Sequence, residues 1–124
     1  MSEMSMFHIA RVIDGELSHR PEEMPVFKPA DVAGWQGRSV EIEGIEVFMF
    51  EIEPNADYPM HAVPGDWIGY IVKGSGSLML EDPKTKNVSS TPYTPGDVFF
   101  FGPDLPHAWK SGPEPGASLW VKVR

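Results

Sequence analysis

The sequence predicts an all-β barrel of the jelly-roll type, and three observations carry that prediction. Gly supplies 12 residues and Pro 13, and beyond Gly15 the longest stretch free of both is Ile45 to Glu53. Pro costs about 3 kcal/mol in a helix interior and Gly about 1, so no ordinary helix fits past that point. Short apolar runs of β-forming residues fill the gaps between turns. Finally, two halves of the chain echo each other. Each has a Pro-led turn followed by a His with a Pro just before it, Pro54 to His61 and Pro95 to His107. Such an internal two-fold suits a jelly roll.

Taken in order, residues 1–38 are the hardest to read. Phe7, Ile9, Val12 and Ile13 fit an edge strand, and Pro25 to Pro29 reads as extended. This segment is expected to be an arm that covers the barrel or is exchanged in a dimer, with the barrel proper spanning 39–124. Val40 to Glu43 leads through Gly44 into Val47–Glu53, where Phe48, Phe50 and Ile52 share one face and Glu51 and Glu53 the other. Trp67 to Val72 is apolar on both faces and turns at Lys73-Gly74-Ser75-Gly76 into a partner, Ser77 to Leu80. Glu81 to Thr91 reads as a polar loop in which Lys84 and Lys86 need no function. Pro95-Gly96-Asp97 introduces Val98 to Phe101, closed by Gly102-Pro103-Asp104. The last strand alternates Leu119, Val121 and Val123 against Trp120 and Lys122.

At 124 residues and 41% hydrophobic, the chain suits one globular domain with its own core. The net charge of −8, spread along the chain, disfavours nucleic acid and anionic membrane surfaces, both of which call for clustered Lys and Arg. No apolar run approaches the roughly 18 residues of a membrane span, and the start Met1-Ser2-Glu3-Met4-Ser5-Met6 is too polar for a signal peptide. The absence of Cys excludes disulfides and thiolate chemistry. A cytoplasmic location is the default expectation.

Two segments carry a family resemblance. Pro54 to Gly76, with His61 and the Tyr70-Ile71-Val72-Lys73-Gly74-Ser75-Gly76 turn, resembles the first motif of the cupin superfamily. Pro95-Gly96-Asp97 through Pro106-His107 resembles the second. The likeness covers about residues 40–124 and implies the cupin jelly roll, a double-stranded β-helix. It implies little about activity, since the fold hosts many unrelated chemistries. The family pattern also implies four metal ligands, and the departures from it are informative. Val63 stands at the second His position and Trp67 at the Glu position, seven residues before Gly74. Neither can ligate, because Val has no donor atom and the indole N–H only donates. In the second motif, Gly102, Asp104 and Ser111 replace the usual Pro, Gly and Asn.

The resemblance therefore leaves His61 and His107 as the candidate metal ligands, for a divalent ion such as Fe, Mn, Ni or Zn. A replacement carboxylate would have to come from Asp57, Asp66 or Asp104. Asp66 is nearest in sequence, although strand alternation turns it outward if Trp67 points in. The expected ligand pocket comprises His61, Trp67, Gly69, His107, Trp109 and Phe50. Trp67 either stacks on a planar ligand or fills the volume vacated by the missing ligands, with Gly69 making room on the same face. Trp109, Phe48, Phe50 and Phe100 read first as core, Tyr58 and Asp57 as a plain turn, and His8 and His19 as solvent-exposed. At least one ring of Phe99-Phe100-Phe101 should face outward, as should Trp120, and both suggest a homodimer interface.

Three functions remain open. The protein is a module binding a small organic molecule in the barrel without tight metal; or a metal-assisted dioxygenase, isomerase or lyase using His61 and His107; or a metal-free, epimerase-like enzyme with a His base.

Overall fold

The computed structural model describes residues 6–31 and 35–123, and every regular element among them is a strand. The N-terminal pair, β1 (Phe7–Ile13) and β2 (Glu16–Glu22), forms a separate two-stranded sheet. Its loop is Asp14-Gly15, with φ of 52° and 80°. Two consecutive positive φ values give a hairpin turn whose twist matches the flanking strands. The same device, Glu43-Gly44 at 51° and 79°, joins β4 (Trp35–Ile42) to β5 (Ile45–Ile52).

The barrel has two sheets. The remaining strands are β3 (Lys28–Pro29), β6 (Asp57–His61), β7 (Trp67–Lys73), β8 (Gly76–Glu81), β9 (Val88–Tyr93), β10 (Val98–Phe101), β11 (His107–Ser111) and β12 (Gly116–Lys122). A six-stranded sheet runs β10-β7-β12-β5-β4-β3 and a four-stranded sheet runs β6-β11-β8-β9. Trp109 of β11 ties them together. Its ring lies 5.7 Å from Trp35, 5.6 Å from Trp120 and 6.0 Å from Phe101, all on the opposite sheet. Ile71 and Leu78 are the most deeply buried side chains of the core among the described residues.

Several expectations are corrected here. The arm does not end at residue 38, because β4 pairs with β5 along its whole length from Trp35↔Ile52, so that boundary falls inside a barrel strand. Residues 1–5 and 32–34 of the expected arm lie outside the described residues, as does Arg124 at the end of the barrel. The polar loop after Glu81 is shorter than expected. Val88 to Tyr93 forms β9, an edge strand that tolerates Pro92 because one of its sides needs no donor. Trp120 points inward and is buried, with its indole N–H donating 3.0 Å to Ser118 Oγ. Phe100 is the outward ring of its triplet and is 59% exposed, so it is not core. It joins Val98, Ile68, Tyr70 and Val72, all exposed, on the outer face of β10 and β7.

Candidate functional site

A cavity of about 480 Å³ opens between the two sheets. The antiparallel pairing of β6 with β11 sets His61 directly opposite His107, so the two echoing halves of the sequence meet in one ladder rung. Their ring centroids are 4.3 Å apart.

Both imidazoles are held in the same way. His61 Nδ1 lies 2.9 Å from the carbonyl of Pro59, and His107 Nδ1 lies 2.8 Å from that of Leu105. A carbonyl oxygen only accepts, so each Nδ1 carries the proton and donates. In the neutral ring this leaves the Nε2 lone pair free. Burial, the dominant influence, holds His107 below the usual imidazole pKa. The hydrogen bond to Leu105 opposes that shift, and the charge of His61 adds to it. His107 is therefore neutral near pH 7, with an accepting Nε2.

Of the expected pocket residues, His61, Trp67, His107, Trp109 and Phe50 line this cavity. Gly69 does not. It lies buried under the Trp120 ring, so the room it leaves is taken by Trp120 and not by Trp67 or a ligand. Trp67 does not stand between the histidines. Its indole N–H donates 3.0 Å to the Pro64 carbonyl, and its ring sits 5.2 Å from Phe48 with the Lys122 ammonium 6.0 Å from its centroid. It forms a wall and leaves the interior open. Tyr58, read as a turn, is instead a β6 residue in the cavity, 4.4 Å from the His61 ring, and burial raises its phenol pKa.

Further lining residues were not expected from the sequence: Trp35, Asp31, Glu46, Phe101, Trp120 and Lys122. The inward alternation Trp35, Gly37, Ser39 is masked by its two small members. Lys122 is legible only in hindsight, as a long side chain that can lay its stem against Trp67 with its head at the mouth.

The substituted motif positions also have structural explanations. Asp104 takes φ 59°, the left-handed region that favours Gly, and its N–H donates 2.9 Å to the Val63 carbonyl. Ser111 bridges the preceding loop, donating 2.6 Å to the Glu53 carbonyl and accepting from Ala56 N–H at 2.7 Å.

A family model described as Cupin matches residues 29–123. No curated protein matches the chain. Among solved structures, similarity is found to oxalate decarboxylase, including the Bacillus subtilis enzyme with Mn(II) centres, a structure concerned with an element that modulates proton-coupled electron transfer, and one concerned with substrate binding mode. Each has a TM-score of 0.67 and 20% identity, covering 77% of this chain and 27% of the other. This is a likeness of fold, and the chain spans only about 27% of the length of those proteins.

The donor set does not fit a divalent metal held by the protein alone. Two Nε2 atoms are available, and protein-bound divalent metals take three or four protein donors. Asp57, Asp66 and Asp104, the candidate replacements, are absent from the cavity lining. Among the described residues no three His, Asp or Glu side chains gather around a common point that could hold an ion.

Proposed function

This chain belongs to the cupin family, and we propose that it binds a small, planar organic molecule in its barrel without a protein-held metal. The observation carrying this reading is the pair of backbone-anchored imidazoles, with His107 presenting Nε2 as an acceptor, in a cavity walled mainly by aromatic rings. Rings favour a flat, largely apolar body, and the accepting His107 Nε2 favours a hydroxyl on it. A cavity of about 480 Å³ accommodates a molecule of one or two rings.

Calorimetry on protein dialysed against EDTA tests this, with 4-ethylphenol and ethylbenzene as probes. The phenol should bind one to one, and His61→Ala/His107→Ala should weaken it by about tenfold, the worth of a hydrogen bond to a buried partner. Binding of neither probe, equal binding of both, or binding that appears only after Mn(II) is added would overturn the reading.

The Mn(II) case would favour the second reading, a metal-assisted enzyme in which substrate or water supplies the missing donors. Its support is that an Nδ1-anchored imidazole is also how metal-ligating histidines are held.

We also propose a homodimer. The exposed apolar side chains of β7 and β10, Ile68, Tyr70, Val72, Val98 and Phe100, favour a second copy at that face. The mass in solution measures this directly.

A further inference from the structure

The inner face of the six-stranded sheet carries one charged rung at the cavity. Val121 pairs with Val47, so the next residues along, Lys122 of β12 and Glu46 of β5, face each other. On its other side Lys122 pairs with Trp67 of β7, and all three residues line the cavity. Opposite charges facing across a ladder ordinarily close into an ion pair. Here they do not. Among the described residues neither Lys122 nor Glu46 has an ion-pair partner. The lysine leans the other way, its ammonium 6.0 Å from the Trp67 ring centroid.

Both charges can be reached. Glu46 is exposed, and Lys122 is half-buried with an unpartnered ammonium that keeps accessible surface. The third charged residue on the lining, Asp31, is engaged by the Gly37 N–H at 2.9 Å. The rung continues to Phe101 of β10, which pairs with Trp67 and lies 4.6 Å from the His107 ring. The same cavity wall that faces the imidazoles thus holds a carboxylate and an ammonium kept apart. Adjacent strands lie about 4.8 Å apart, so the two charges bracket a small group. A purely anionic group there would meet Glu46 and a purely cationic one Lys122, each with a like-charge penalty. An α-amino acid, with its ammonium and carboxylate on one carbon, meets both charges with their opposites.

We propose that this rung receives the zwitterionic head of an aromatic α-amino acid, its ammonium on Glu46, its carboxylate on Lys122 and its ring inside the barrel. This rests on the binding reading above and adds the charges of the ligand's outer end. Glu46 and Lys122 are then specificity-determining residues.

The test uses four probes that share the 4-ethylphenol skeleton and differ only on its terminal carbon. They are 4-ethylphenol itself, tyramine with an ammonium, 3-(4-hydroxyphenyl)propanoate with a carboxylate, and L-tyrosine with both. In calorimetry at low salt, the wild type should bind L-tyrosine about tenfold more tightly than 4-ethylphenol, and more tightly than either singly charged probe. Lys122→Met, which keeps the apolar stem, should bind L-tyrosine no better than tyramine. Glu46→Gln should bind it no better than the propanoate. Raising NaCl to about 0.5 M should shrink the L-tyrosine advantage of the wild type. L-Tyrosine binding no tighter than 4-ethylphenol, a singly charged probe matching L-tyrosine on the wild type, or variants keeping the full advantage would each overturn the inference while phenol binding stands. Binding of no probe at all would remove the binding reading itself.

Discussion

From the four-stranded sheet, Tyr58, His61, His107 and Trp109 reach the cavity; from the six-stranded sheet come Phe48, Phe50, Trp67, Phe101 and Trp120. The first wall carries groups whose polar atoms are fixed by nearby carbonyls, at Pro59 and Leu105. The second carries bulk. Where the family pattern expects a carboxylate, it has Trp67 packed on Phe48. The difference teaches that a ring at the carboxylate position need not fill the interior. The bulk of Trp67 lies on the opposite wall, and the imidazoles have open space in front of them.

The division can be broken most forcefully at Trp109, the one ring of the polar wall that touches the other wall at several points. Trp109→Ala leaves a void beneath Trp35, Phe101 and Trp120 and should cost about 3–5 kcal/mol in urea unfolding. A loss below about 1 kcal/mol would mean that the walls are not held through this ring. On the shape-giving wall, Gly69→Ala forces a methyl into the Trp120 ring and should cost about 1–3 kcal/mol by overpacking. Unchanged stability there would show that Trp120 has another place to lie.

The smallest effect is expected from pH. Burial depresses the His107 pKa in the folded chain, whereas the unfolded chain titrates near about 6.5. Between those values the unfolded state binds the proton and the folded state does not. The contribution of His107 is therefore complete above about pH 6.5 and is lost as pH falls through the folded value. Replacement by Gln should flatten that part of the stability profile relative to wild type. Identical slopes would place the titrating group elsewhere.

Much of this was legible from residues. Pro and Gly spacing excluded helix, and the two Pro-led turns brought His61 and His107 into register. Alternation in β12 was read correctly but turned the wrong way. It separates two faces without saying which is inside, and here the outer face of the six-stranded sheet is itself apolar, through Ile68, Val98 and Phe100. A sequence signal for the inward turn is Gly69, which pairs with Trp120 and leaves the space its ring takes. Trp35 was missed because Gly37 and Ser39 dilute the inward face of β4. Asp31 and Glu46 reach the cavity from a connection and a strand start, where periodicity carries no weight.

The chain has 4 tryptophans, Trp35, Trp67, Trp109 and Trp120, and every one of them borders the same chamber. Intrinsic emission is thus a report on the interior, with no indole elsewhere to contribute background. Any occupant that enters should register as quenching or a change of colour without a dye or label. The protein can be screened against whole collections of compounds by its own light.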